Sequence, residues 1–346
     1  MNEAAVKQQR TVGSMLESLG HFVLRFQSYF GLIGIIIISA MLSPTRNGVN
    51  IFLTPTNLLN IVRFASENGI IAVGMTFVIL IAGIDLSVGA VLALCAVAAA
   101  SSMMRMGLGT LETILLTLSI GLSAGLVNGL VTTRLNLQSF ITTLAMLSVA
   151  RGVASLWSDG YAIPLAFGDG PGMAPPLFKA LFGGQVVILG IGIPAQIFYL
   201  LGVGIIATFV LRSTGFGRHV YAIGGNETAA HLSGVSVNRV KVIVFGISGL
   251  LAGLAALLHA ALVSQGSHID GNGYELNAIA AVVIGGTLLS GGSGTVVGSI
   301  IGAIILSILD NILGLRNISS EYQLILKGVI IVLAVVVQRQ RSHAKV

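Results

Sequence analysis

The residues with reactive side chains are few and scattered. The six histidines, His21, His219, His231, His259, His268 and His343, never stand at metal-ligand spacing. Cys95 is the single cysteine, so no intramolecular disulfide exists, and its place in an apolar run reads as inert packing. No Gly-Lys-Ser or Gly-Lys-Thr is present to cradle a nucleotide phosphate. Gly292-Ser293-Gly294-Thr295-Val296-Val297-Gly298 has the outline of a glycine fingerprint. It lies between apolar runs and opens no βαβ unit, so it reads as a turn and packing motif. There is no nucleophile elbow. The chain therefore encodes no catalysis, metal site or cofactor site of its own, and any energy it uses comes from elsewhere.

The polar groups that remain are set among apolar residues, where they are costly and informative. Asp85 stands at a break between two apolar runs. Either it caps the helix that follows, or with Ser87 it lines or gates a path through the protein. Arg63 and Glu67 are four apart and pair on one helix face. Asp310 and Lys327 are a second candidate pair. Asp270 and Glu275 flank a helix end, either as solvated loop residues or as contacts for a partner protein, and Arg151 snorkels outward from its run. Gly125, Asn128 and Gly129, and again Gly246, Gly249 and Gly253, sit at helical spacing, where small residues let helices pack closely.

The elements that must hold these groups follow from composition. The 346 residues are 55% hydrophobic and 9% charged, whereas soluble domains carry roughly 25% charge, and mean hydropathy is +0.96. That excludes a soluble enzyme, a disulfide scaffold and a disordered chain. It also excludes an outer-membrane barrel, whose strands alternate rather than stay apolar. The expectation is an all-α polytopic membrane protein of about ten spans, near 22–43, 61–82, 86–106, 112–133, 138–157, 191–212, 241–263, 276–290, 295–313 and 322–338. Residues 68–106 as one helix would be ~58 Å long, about twice the hydrocarbon core, so the chain must turn near Asp85. Residues 276–313 must likewise turn near Gly292. These matching breaks hint at an internal repeat.

The net charge of +6 is not a nucleic-acid stripe, because the basic residues are dispersed. With the N-terminus inside, eleven Lys and Arg fall on the inner side and five outside, the bias of cytoplasmic loops. Both termini are thus expected in the cytoplasm: a tail at 1–21, a membrane domain at 22–338 and a tail at 339–346. The first thirty residues lack the pattern of a cleavable signal, and Val12–Phe26 reads either as an amphipathic helix on the inner surface or as an ordinary flexible tail.

The inner segment 213–240 is too long for a simple turn. Asn226 after two glycines is a good helix N-cap, Glu227 favours the first turn, Ala229, Ala230 and Leu232 propagate the helix, and Gly234 stops it. A short helix held by glycine hinges is expected, with Ala229, Ala230, Leu232 and Val235 as an apolar face for a partner. Folding back onto this chain is the alternative.

Here the chain resembles a known family. Gly74-Met75-Thr76-Phe77-Val78-Ile79, Gly83-Ile84-Asp85-Leu86-Ser87-Val88-Gly89, Phe140-Ile141-Thr142-Thr143-Leu144, Phe216-Gly217-Arg218 through Gly234, and Gly285-Gly286-Thr287-Leu288-Leu289-Ser290-Gly291-Gly292 are similar to permease subunits of ribose-class ABC importers, the carbohydrate uptake transporter 2 family. The likeness runs from about residue 50 to 335. It implies a dimer of ten-helix permeases, alike or paired with a sister chain, a cytoplasmic ABC ATPase subunit and a periplasmic sugar-binding protein, in a bacterial inner membrane. It also implies that the helix at 226–235 (Asn226, Glu227, Ala229, Ala230, Leu232, Ser233, Gly234, Val235) is the coupling helix seated in the ATPase. Ala82 stands where the family usually has Gly, and Asn277 where it usually has Asp. Asp85, Ser87, Asn128 and Asn277 are then the candidates for the translocation path or its gate. The competing reading is a proton-coupled secondary carrier with Asp85, Glu275 or Asp310 as its proton site. A purely structural scaffold leaves the 213–240 segment without a purpose.

Overall fold

The computed structural model describes residues 27–170 and 172–343. Apolar runs in lipid must satisfy every backbone N–H internally, and helices do so. The described residues form thirteen: α1 (Gln27–Leu42), α2 (Pro55–Leu80), α3 (Val88–Met104), α4 (Thr110–Arg134), α5 (Ser139–Trp157), α6 (Pro176–Phe182), α7 (Ala195–Ser213), α8 (Gly215–Gly225), α9 (Glu227–Leu232), α10 (Val237–Val263), α11 (Tyr274–Ile284), α12 (Val296–Leu315) and α13 (Ser320–His343). Six of them, α2, α4, α5, α7, α10 and α12, are long and apolar enough to cross a membrane; α1, α3 and α11 are apolar but shorter. The amphipathic segment expected at Val12–Phe26 lies outside the described residues.

Each of the ten expected runs contains a helix, with shifted ends. The sixth begins as a strand: β4 (Gln185–Ile188) pairs with β5 (Ile191–Pro194), and Leu189 and Gly190, both at positive φ, form the primed turn that suits a hairpin. The eighth stops at Ile284, because Gly285 and Gly286 follow. The last runs to His343, beyond the boundary expected at 338. The helical fold also carries β1 (Thr45–Arg46) paired with β2 (Val49–Asn50), and β3 (Ile163–Pro164) paired with β6 (Gln265–Gly266), so it is not wholly α.

The central helix is α10, packed on α4, α2 and α3. The glycines expected to allow close packing do so. A Cβ on Gly125 would stand 2.2 Å from Phe245 O, and one on Gly249 would stand 2.2 Å from Gly121 O. α4 and α10 thus touch backbone to backbone. On the other side α12 packs on α2 and α11. Cys95 is buried within α3, its Sγ 3.5 Å from Thr117 O. By contrast, α5 and α7 expose apolar faces, among them Val149, Leu156, Ile205 and Phe209, as lipid-facing helices do.

Both breaks fall where the turns were expected. The chain leaves the helix at Leu80 and re-enters it at Val88; it leaves again at Ile284 and re-enters at Val296. Eleven residues of α11 make only ~17 Å, about half of a hydrocarbon core. The breaks meet at the end of the bundle that carries α8 and α9, here called the loop face. The opposite end, the far face, carries α6, the β4–β5 hairpin and the 264–273 connection.

Candidate functional site

On the loop face, α8 is an element that glycine content conceals. It contains Gly215, Gly217, Gly224 and Gly225, yet Thr214 caps it, accepting from Gly217 N at 3.2 Å. Phe216, Val220 and Ile223 repeat at the spacing of one helix face, and Val220 and Ile223 are fully buried. That period was the available signal. Asn226 then caps α9 as expected, its Oδ1 accepting from Ala229 N at 2.9 Å, and Gly234, at φ +85°, ends the turn. Glu227 lies in the first turn and holds Lys241 of α10 at 2.7 Å.

The expected docking face of α9 is divided. Ala230 is buried and Val235 packs on the core, because so short a helix must bury one side to stay in place. Asn226, Glu227, Ala229, Leu232, Ser233 and Gly234 face outward, and Leu232 is 82% exposed. Thr228, His231, Asn238 and Arg239 border a groove of about 620 Å³ beside it.

Behind α8 the chain makes a junction of bare backbone. A Cβ on Gly224 would lie 1.8 Å from Leu80 O and 2.3 Å from Gly292 N. Gly292 N–H donates to Leu80 O at 3.0 Å. A Cβ on Gly291 would lie 2.8 Å from Ala82 N. The segment bearing α9 therefore abuts both helix breaks at once. Tyr221 adds a tether, its hydroxyl donating to Gly294 O at 2.9 Å. Burial pushes the phenol above its usual range, against the nearby Arg212, so it remains a donor. Ala82 sits at φ +57°, a left-handed conformation in which glycine has no steric cost. That accounts for the glycine expected there from the family resemblance.

Asp85 is 1% exposed. Its Oδ1 accepts from Ser87 N at 3.0 Å and Ser87 Oγ at 2.6 Å, and its Oδ2 accepts from Ser248 Oγ of α10 at 2.8 Å. Asn128 of α4 donates to Ser87 Oγ at 2.9 Å. Ile84 N–H and Leu86 N–H donate to Ser139 Oγ and Thr143 Oγ1 of α5, at 3.0 and 3.1 Å. Capping of α3 is thus taken over by Asp85, two residues earlier than the formal cap, Ser87, whose own side chain caps nothing. Asp85, Ser87 and Asn128, with Ser248, Ser139 and Thr143, form one buried clamp joining α3, α4, α10 and α5.

Asn277 does not belong with them. It lies on the far side, along a cleft it shares with Asn68, Ser307 and Asp310. Other far-side expectations need correction. Glu67 meets His259 rather than Arg63, with Oε2 to Nδ1 at 3.0 Å. Asp270 is not solvated: it stands 3.6 Å from His259 Nε2 and accepts from Ser267 N at 2.8 Å. Arg151 does not snorkel but grips the carbonyls of His268 and Asp270, which the 264–273 connection brings against α5. Asp310 and Lys327 do pair, at 2.9 Å. Among the described residues no three His, Cys, Asp or Glu gather to hold a metal.

A many-helix, lipid-facing chain with two discontinuous helices and an exposed helix joined to both breaks has the build of a permease. Residues 57–335 match the family described as branched-chain amino acid transport system / permease component, and the chain belongs to that family. It is 44% identical over 317 residues to the ribose import permease protein RbsC of Haemophilus influenzae, covering 92% of this chain and 94% of that one. The ribose import permease protein RbsC of Bacillus subtilis is 43% identical, covering 91% and 92%. The xylose transport system permease protein XylH of Escherichia coli K12 is 34% identical, covering 90% and 91%. No solved structure matches significantly. The chain is thus a multi-pass membrane permease and not an enzyme.

Proposed function

We propose that this chain is the membrane subunit of an ATP-binding cassette importer that moves a monosaccharide inward. In this reading it crosses a bacterial inner membrane ten times, by α1–α5, α7 and α10–α13, with both termini and the loop face in the cytoplasm. Two copies, or this chain and a sister chain, form the pore. A separate ATPase subunit receives α9, and a periplasmic binding protein delivers the sugar to the far face. The observation that carries the reading is the backbone junction at Gly224. Whatever displaces α9 displaces α8, and α8 abuts both helix breaks without an intervening side chain. The names of the relatives, ribose and xylose permeases, supply the substrate class.

A proton-coupled carrier is less well served by the geometry. Both Asp85 oxygens are taken by neutral donors in a closed clamp, whereas a proton site needs access to water. The test is uptake of labelled D-ribose into proteoliposomes holding the permease with its ATPase and binding protein. Uptake is expected to need ATP, to ignore an uncoupler, and to fall at least about tenfold with Leu232→Arg, which sets a charge in a desolvated contact. Uptake by the chain alone, driven by a pH gradient, would reject the importer.

A further inference from the structure

The cleft on the far side is a chamber of mixed polar and apolar walls. It lies between α2, α11, α12 and α13, and holds about 440 Å³, within the range of roughly 300–1,000 Å³ usual for small-molecule sites. Asn68 is thirteen residues into α2, ~20 Å along the helix axis. In the importer reading α2 spans the bilayer, where polar groups are costly and either pair with one another or line a solute path.

The chemistry of the walls is that of a polyol site. Asn277, Asn311 and Ser307 each donate and accept hydrogen bonds, as a sugar hydroxyl does, while the Tyr274 hydroxyl turns to Glu67. Asn311 spends part of its capacity on a reciprocal amide pair with Asn57, at 2.8 and 3.0 Å, which leaves one N–H and one lone pair. Two wall acceptors, Asn68 Oδ1 and Asp310 Oδ1, are buried without a hydrogen-bond partner. Buried acceptors are nearly always satisfied, and both residues lie on the chamber wall. The ring of Phe64 at the rim offers an apolar surface for the C–H face of a sugar. The only full charges on the wall, Asp310 and Lys327, neutralise each other at 2.9 Å. That disfavours a zwitterionic amino acid, which needs unpaired charges of both signs.

We infer that this chamber is a monosaccharide site contained within one subunit, a station between delivery at the far face and the breaks on the loop face. The inference rests on the importer reading above. α13, which packs chiefly on α11, lines one side of the chamber, and the Asp310–Lys327 pair fastens it to α12.

The experiment uses the complete importer in proteoliposomes, with labelled D-ribose and D-xylose as probes and L-leucine as competitor. Asn277→Leu and Ser307→Leu fill the chamber. Each is expected to lower uptake efficiency about tenfold and to change the ribose-to-xylose ratio, while Asn277→Gln and Ser307→Thr restore both. Where a leucine variant does not reach the membrane, Asn277→Ala and Ser307→Ala carry the same ratio measurement. Unchanged rates and ratio overturn the inference. So does an equal loss of both sugars, the mark of a packing defect, and so does competition by L-leucine. Absence of ATP-driven uptake of either sugar by the unaltered protein rejects the importer reading itself, a result visible before any variant is compared.

Discussion

The break after α2 and the break after α11 turn the chain at the same end of the molecule, and they are held by opposite means. Residues 81–87 are gripped by side chains: Ser139, Thr143 and Ser248 reach in from α5 and α10, and Asp85 gathers Ser87 and Ser248. Residues 285–294 are held mainly by main chain against main chain at Gly291 and Gly292, with one side-chain tether at each end, Ser28 to Gly285 O and Tyr221 to Gly294 O. A side-chain clamp can loosen bond by bond through rotamer changes. A backbone contact has no such freedom: it persists or it separates. The first break is therefore suited to yielding and the second to transmitting. The two meet where Leu80 O receives Gly292 N–H.

The comparison breaks most severely at Gly224. Gly224→Ala sets a methyl 1.8 Å from a carbonyl oxygen, and the overpacking is expected to cost at least about 3 kcal/mol. Thermal unfolding in detergent would show it as a large drop in midpoint. Gly225→Ala meets nothing within 4 Å and is expected to leave the midpoint unmoved or slightly raised, alanine being the better helix former. Equal effects of the two would remove the junction from the account.

A smaller effect is expected at the clamp. Asp85→Ala strands the Ser87 amide and the Ser87 and Ser248 hydroxyls, for about 2–3 kcal/mol. Asp85→Asn keeps one acceptor oxygen and costs about 1 kcal/mol. The two midpoints measured side by side test the order; a harmless Asp85→Ala would mean that the clamp is decorative. The smallest effect has the opposite sign. Ala82→Gly relieves a left-handed residue, worth about 1–2 kcal/mol, less the roughly 0.5–1 kcal/mol that glycine forfeits in the unfolded chain. The midpoint should rise slightly, and a fall would show that the Ala82 methyl has a packing role.

Much of this architecture is readable before any coordinates. Runs of some twenty apolar residues have no stable fate in lipid except helices, and a run twice the bilayer thickness must turn. That places the breaks at Asp85 and Gly292 and makes α9 legible from Asn226 and Gly234. α8 is less so, since four glycines lower its helix propensity, and tertiary burial of Val220 and Ile223 overrides that penalty. The partners of buried polar groups are not legible at all. Glu67 and Arg63 are one helical turn apart, yet Glu67 finds His259, 192 residues away, because α2 and α10 pack there. The far chamber is hidden for the same reason: its asparagines come from separate helices and share no motif.

The glycine contact behind α8 has a mechanical corollary. Side chains act as springs between helices, absorbing part of any push in torsion. With only carbonyls, amides and hydrogens between Gly224 and the two turns, no spring is in series at that contact, so Gly224 has no room to shift without disturbing both turns together.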